Sequence, residues 1–383
     1  MKKYDVIIIG GGASGCMAAM FAKNQKIAII DAGKTLAKKI MVTGNGRCNL
    51  TNTNMGSQYF NQNIDKFLAK FNEKQTLEFF ESLGLETYAD EEGRVYPISN
   101  SAKSVVDVIA SRLNGKVDCV LGQKVAEIEK SSEGFLIATE NETFSCKKLV
   151  VSTGGNTMLN ALSKLGVEAK PFTPSLVALK CSDVKDLNGV KVSNVKVTAT
   201  NFLGETKSEE GEVLFKESGL SGIVIFNLST IFARSGNFSG KINIDLMPDL
   251  SESALAEKIT KRKTLNVNLD KMFVGMFVNS LANEIFRQCK INTNINSNKL
   301  TNAQILTLAK TIKNLTYNVV GAYDNNQVFS GGIKLPLLDD KLMYKQIPDL
   351  YFTGEICDID GVCGGYNLQW AWISGKIVGE NLC

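Results

Sequence analysis

Tyr4-Asp5-Val6-Ile7-Ile8-Ile9-Gly10-Gly11-Gly12-Ala13-Ser14-Gly15 is the stretch whose reading decides the fold. A largely apolar, β-branched run that ends at glycines reads as a buried parallel strand. A helix is predicted from Ser14 to about Asn24, with Ala13, Ala18, Ala19 and Ala22 small enough to let it lie close to a sheet. Ile27 to Ile30 then supplies a second strand, which completes a strand-helix-strand unit within about 30 residues. In such a unit Gly10 permits the tight turn, Gly12 lets a pyrophosphate approach the backbone, and Gly15 lets helix and strand pack closely. The helix start offers unpaired N–H groups and the positive end of its dipole to the phosphates. Asp31 closes the second strand about 20 residues after Gly10, where a carboxylate can accept hydrogen bonds from an adenosine ribose.

Around this core the composition narrows the chemistry. A chain of 383 residues exceeds what one hydrophobic core usually supports, so two or three domains are expected. Its 43 basic and 39 acidic residues leave a net charge of +4, too mild to imply nucleic acid. Histidine is absent, which removes Ser-His triads and histidine general bases together. The nine cysteines form no C-x-x-C pair, so no zinc ribbon or dithiol site is expected; a reduced cytoplasmic setting fits best. No secretory leader and no segment of membrane-spanning length is found.

Further along, Ile64 to Leu83 and Ala102 to Leu113 read as helices, and Val117 to Val151 turns to strands that lead into Thr153-Gly154-Gly155. Val190 to Thr200, Val213 to Phe215, Ile223 to Leu228 and Lys241 to Asp245 alternate as in an antiparallel sheet. Ser253 to Lys263, Lys271 to Cys289 and Thr301 to Leu315 read as helices, after which strands return and a helix closes the chain from Tyr366 to Glu380. The expected class is α/β: a Rossmann-like, two-dinucleotide-binding-type FAD domain over 1–185 and 320–383. It is interrupted by a β-rich insertion over 186–248 with a helical part over 249–319; the division is read from the pattern, whereas FAD and the two-dinucleotide-binding type are what the family resemblance described below implies.

The first unit alone does not separate NAD from FAD. Thr43-Gly44-Asn45-Gly46-Arg47-Cys48-Asn49 places glycines and a guanidinium in one polar loop, a composition suited to an anion. Tyr351-Phe352-Thr353-Gly354-Glu355 ends a strand with an acid, and Gly364-Gly365-Tyr366-Asn367 opens a helix. A strand-end carboxylate can bind ribityl hydroxyls, and a helix N-terminus can stabilise charge on a reduced flavin. Trp370 and Trp372 read as core. Tyr366 stands between core and site, Asp358 and Asp360 read as turn-formers, and Cys357 and Cys363 read as buried thiols rather than a redox pair.

These residues resemble the bacterial aminoacetone-oxidase-type, BaiN-like FAD-binding flavoproteins, a family that includes flavin-dependent reductases linked to bile-acid dehydroxylation. The resemblance spans nearly the whole chain and is carried by Gly10 to Gly15, TGNGRCNLTN over 43–52, Gly219-Leu220-Ser221-Gly222, Gly331-Gly332 and GGYNLQWAWISG over 364–375. The family commonly has Thr-His just before Gly-Leu-Ser-Gly, where this chain has Lys216-Glu217, and Ile223 stands where a proline often follows. The resemblance implies FAD contacts at Gly10, Gly12, Ala13, Ser14, Gly15, Asp31, Gly46, Arg47, Cys48, Asn49, Val125, Thr153, Gly154, Gly354, Glu355, Gly365, Tyr366 and Asn367. No catalytic residue and no metal ligand is assigned, and a part in chemistry for Cys48, Lys216 or Glu217 stays open.

The expected activity is FAD-dependent hydride transfer between flavin N5 and a small organic substrate, with oxygen or transient NAD(P)H as redox partner. No nucleic acid or membrane partner is expected. Two alternatives stand beside it: a flavin-dependent RNA-modifying enzyme, and a flavoprotein whose FAD is structural and whose insertion binds a partner.

Overall fold

The computed structural model describes residues 1–23, 25–155 and 158–382. The chain divides into two compact units, 1–172 with 328–383 and 173–327. The sequence had placed these joins near 185 and 320; the barrel strand Leu179–Cys181 lies upstream of the first of these positions.

In the first unit, β1 (Lys2–Ile9), helix α1 (Ala13–Phe21) and β2 (Ile27–Asp31) form the nucleus. Asn24, at the expected helix end, lies outside the described residues. Five parallel strands run in the order Asp118–Leu121, β2, β1, Thr143–Val151 and Leu350–Phe352. The antiparallel pair Gly134–Thr139 and Val125–Ser131 completes a seven-stranded sheet. Val6, Ile7 and Ile8 are wholly buried, because a central parallel strand is covered on both faces. The last strand of the chain therefore lies in the same sheet as the first.

The closing helix Tyr366–Glu380 packs on α1 through glycines. A Cβ at Gly375 would stand 2.4 Å from Ser14 O, and one at Gly379 would stand 2.5 Å from Ala18 O, so only glycine allows the approach.

The second unit has its own core. Its strands form a closed barrel in the order Leu179–Cys181, Gly219–Ser221, Thr206–Lys216, Lys191–Asn201, Gly240–Asp245 and Leu315–Ala322. Closure leaves the sheet without edges.

Several expected elements differ. Ile223 to Leu228 is the start of a helix, Ile223–Ser235, not a strand. The run is locally β-branched, yet Val224, Leu228 and Phe232 bury one helical face, and tertiary packing overrides propensity. Ile64 to Leu83 is two helices, Asp65–Leu68 and Glu73–Ser82. Asn72 caps the second, its side chain accepting from Gln75 N at 3.0 Å while Gln75 Oε1 accepts from Asn72 N at 3.0 Å. Lys271 to Cys289 likewise splits into Leu269–Met272 and Asn279–Gln288, with Gly275 at φ +81° between them. The helix expected over Thr301 to Leu315 ends at Lys313, and Leu315 opens a barrel strand. Among the described residues no helix is long and apolar enough to cross a membrane.

Candidate functional site

The site lies within the first unit, at the carboxyl ends of the parallel strands, where open α/β sheets bind ligands. Gly10 has φ +104°, and a Cβ there would stand 2.5 Å from Ser152 O on the neighbouring strand end. A Cβ at Gly15 would lie 2.0 Å from Gly10 O. Both glycines are thus demanded by protein packing. At Gly12 nothing lies within 4 Å of the Cβ position, so the backbone is bare on that side. Gly12 also opens α1 without a side-chain cap, leaving first-turn N–H groups such as those of Ala13 and Ser14 without intrahelical partners.

Asp31 is fixed by two short bonds: Oδ2 accepts from Gly11 N and Oδ1 from Gly33 N, each at 2.6 Å. The carboxylate retains lone pairs for a further donor. Gly122 N–H donates to Gly33 O at 2.8 Å and Gln123 N–H to Asp31 O at 3.0 Å. This ties the segment leading into Val125, which is buried at its strand start, to the end of β2.

The loop at 43–49 is wound tightly, with Gly44, Asn45, Gly46 and Cys48 all at positive φ. The Arg47 guanidinium lies 4.3 Å from the Tyr96 ring centroid and its Nε donates to Gly44 O at 3.3 Å. Cys48 is fully buried, and burial pushes its thiol up to about 12, so it packs as a small hydrophobe rather than acting as a nucleophile.

The rear turn locks onto this loop. The Asn49 amide, with its nitrogen toward Thr51 O at 3.0 Å and its oxygen toward Gly365 N–H at 3.2 Å, links the two. Asn52 Nδ2 donates to Gly364 O at 2.9 Å, and Thr51 Oγ1 donates to Gln369 Oε1 at 2.7 Å. Gln369 Nε2 in turn donates to Thr76 Oγ1 at 2.9 Å, all in the interior. Gly365 has φ +98° and its Cβ position is 2.4 Å from Thr51 O, so no other residue fits.

Tyr366 is buried, stacked on Tyr59 at 4.5 Å and edge-on to Phe60 at 6.0 Å, and its hydroxyl donates to Asn54 O at 3.3 Å. Burial raises its phenol above the usual range. Asn367 is held by Gly361, donating to its carbonyl at 2.8 Å and accepting from its N–H at 2.9 Å. The tryptophans are core residues whose indoles serve the site indirectly. Trp370 Nε1 donates to Gly354 O at 3.0 Å, and Trp372 Nε1 donates to Leu50 O at 2.9 Å.

Gly354, at φ +74°, joins the front turn to the rear: a Cβ there would lie 2.4 Å from Ser14 Oγ, and its N–H donates to Ser374 Oγ at 2.9 Å. Glu355 accepts from Phe329 N at 2.7 Å and Gly155 N at 3.3 Å, and pairs with Lys39 at 3.1 Å. Gly154 has φ +71° beside it. Asp358 accepts from Gly331 N at 3.2 Å and Asp360 from Ser330 Oγ at 3.1 Å, so these acids organise the backbone. Cys357 is fully buried and burial raises its thiol; Cys363 is half-buried.

The structure thus brings Gly10 to Gly15, Thr153, Gly154, Gly354 and Glu355 into one neighbourhood. Asn49, Gly365 and Tyr366 adjoin in a second, and Asp31 with the Val125 segment stands at the end of β2. Residues not anticipated include Lys39, Thr51 and Gln369. Thr51 lay inside the quoted TGNGRCNLTN run and Gln369 inside GGYNLQWAWISG, but pairing them across more than 300 positions needs the fold.

These residues fit an elongated dinucleotide. The bare face of Gly12 and its uncapped helix suit phosphates. Thr153 Oγ1 and Thr353 Oγ1 are buried hydroxyls with no partner among the described residues, at the ends of the paired strands Thr143–Val151 and Leu350–Phe352, where a ligand's polar groups would satisfy them.

The family model "HI0933-like protein Rossmann domain" matches residues 4–381. The chain is similar to 3-dehydro-bile acid delta(4,6)-reductase of Clostridium scindens, at 33% identity over 97% of each chain. It is 29% identical to ribosomal RNA dihydrouridine synthase of Escherichia coli, over 100% of this chain and 98% of that one. Among solved structures, 3-ketosteroid delta1-dehydrogenase from Sterolibacterium denitrificans matches with a TM-score of 0.52 at 12% identity, over 100% of this chain and 99% of that one, a likeness of fold alone. The chain therefore belongs to the HI0933-like family of Rossmann-type, FAD-binding flavoproteins.

Proposed function

We propose that this chain is an FAD-dependent reductase that adds hydrogen across a ring carbon–carbon double bond of a small organic substrate. FAD, when bound, supplies hydride at flavin N5. The observation that carries the reading is the meeting of the bare Gly12 turn with Gly354 at Ser14, which unites both ends of the chain in one ligand cradle. Two relatives support the reaction class: a delta(4,6)-reduction and the making of dihydrouridine both saturate a ring double bond.

Within the cradle, Gly12, Ala13 and Ser14 hold the pyrophosphate, and Asp31 with the Val125 segment holds the adenosine. Gly46 and the Arg47-Cys48-Asn49 loop, braced by Tyr96, shape the wall. Gly154, Gly354 and Glu355 face the ribityl chain, and the N-terminus at Gly365, Tyr366 and Asn367 steadies charge on the reduced ring. With no histidine in the chain, protonation of the product falls to a tyrosine, a lysine, a carboxylate or water. One G-x-G-x-x-G implies that NAD(P)H visits the flavin transiently rather than owning a domain. Buried thiols at Cys16, Cys48, Cys146, Cys181 and Cys357 support a reducing cytoplasmic setting.

Purified holoenzyme mixed anaerobically with NADH or NADPH should lose its flavin absorbance, then regain it on addition of an unsaturated 3-keto steroid acid. A flavin that ignores both nicotinamides points to an oxidase, and a protein that takes up no FAD ends the proposal. The similarity to the Escherichia coli synthase favours one second reading, reduction of an RNA base. Retention of ribosomal RNA in a gel at physiological salt, with uridine-dependent reoxidation of the flavin, would favour it.

A further inference from the structure

The barrel unit carries a charge cluster that the dinucleotide cradle does not use. Strand register places Lys216 and Lys180 on either side of Gly219, and Gly321 on the far side of Lys180. Residues in register share a face of a sheet, and neighbours along each strand alternate. Phe215, Leu220 and Leu179 fill the barrel interior, so the two lysines project outward. With glycine at 219 and 321, no side chain stands between or beside the two lysines in that row.

Tyr323, whose N–H donates to Ala178 O at 2.9 Å, brings its ring to both. The Lys216 ammonium is 4.7 Å and the Lys180 ammonium 5.5 Å from its centroid. Two ammonium groups gathered on one ring repel each other. A half-exposed cation–π contact returns only about 0.5–1 kcal/mol.

Elsewhere in this unit Lys191, Lys207 and Lys313 each pair with an acid. Lys180 and Lys216 do not: among the described residues no carboxylate forms an ion pair with either, although exposed Glu217 and Asp324 are close in sequence. The arrangement is a converged positive site without its counter-charge.

We propose that Lys180, Lys216 and Tyr323 form a site on the barrel unit for a small oxyanion, a carboxylate or phosphate carried by a small organic molecule. The site stands on the geometry of the barrel unit alone, whichever substrate the flavin reduces. A small ligand is favoured over RNA because two lysines flanked by glycines neutralise one oxyanion, whereas RNA affinity draws on many phosphate contacts.

The test uses full-length holoenzyme titrated calorimetrically with cholate, with inorganic phosphate and with a short ribosomal RNA hairpin. Cholate or phosphate should saturate the wild type, which tells the carboxylate from the phosphate source. Lys180→Ala and Lys216→Ala should each weaken that binding about 10-fold, the low end of the scale of one charge-assisted contact. Lys216→Arg should stay within about twofold, and Lys216→Glu should abolish binding. An unchanged flavin band in each variant shows that the fold survives; if an alanine variant loses it, the Arg and Glu pair decides. The proposal is overturned if neither small anion binds, if all variants bind alike, or if only hairpin binding responds. Loss of flavin bleaching by NAD(P)H, measured on the wild type, would instead sink the reductase reading and leave the titration legible.

Discussion

The two glycine-rich turns of the cradle use the same residue for opposite ends. At the front, Gly12 has empty space where its side chain would be, whereas at the rear Gly365 is pressed against Thr51 O at 2.4 Å. One glycine leaves open space, which the proposed reading gives to a ligand, and the other keeps room for the protein itself. The difference teaches that glycine in a motif is not one signal: substitution at the front should cost ligand, and at the rear should cost fold.

The strongest test of that contrast is Gly365→Ala, which combines a left-handed backbone with a backbone clash. It should destabilise the apoprotein by about 3 kcal/mol in urea unfolding, with or without FAD. Gly12→Val should leave apoprotein unfolding within about 0.5 kcal/mol of wild type while weakening FAD binding about 100-fold by flavin-fluorescence titration. Equal stability losses for the two variants would erase the distinction.

Gln369→Ala sharpens the rear side of the comparison, because it strands the buried Thr51 hydroxyl and removes the amide donor to Phe71 O and Thr76 Oγ1. A loss of about 2 kcal/mol is expected, visible as a lower urea midpoint at unchanged slope. Raising the pH acts more diffusely. Burial lifts the thiols of Cys48, Cys146 and Cys181 from an ordinary 9.0 to about 12. Unfolded thiols ionise first, so their contribution is complete below pH 9.0 and is lost as pH rises toward 12. Thermal midpoints measured from pH 8 to pH 11 should fall steadily, and flat midpoints would contradict the burial. Smallest of all, Cys48→Ala should keep turnover within about threefold of wild type, since a buried neutral thiol packs without reacting.

Much of the front turn was legible because its determinants are local. Strand, glycines, helix and Asp31 follow one another within β1, α1 and β2, and each glycine's task follows from that order. The rear turn was legible only as a helix start, since the partners that make Gly364 and Gly365 necessary are Asn49, Thr51 and Asn52, some 300 positions away. Arg47 shows the same limit: its type suggests an anion, while its contact with the Tyr96 ring is visible only in the fold. In the barrel, Ile223 to Leu228 carried strand propensity that burial against Phe232 and its neighbours overrode. Alternation announced the sheet but not its closure, because pairing of Leu179–Cys181 with Leu315–Ala322 joins strands separated by the helical segment.

That closure bears on how such enzymes diversify. Gln327 N–H donates to Leu176 O at 3.3 Å and Tyr323 N–H to Ala178 O at 2.9 Å, so the barrel unit begins and ends at neighbouring points. A segment with adjoining termini and no open edge can be exchanged, trimmed or rebuilt as a cassette while the nucleotide scaffold goes on folding around its own core. One insert can then be replaced without renegotiating the redox half of the polypeptide.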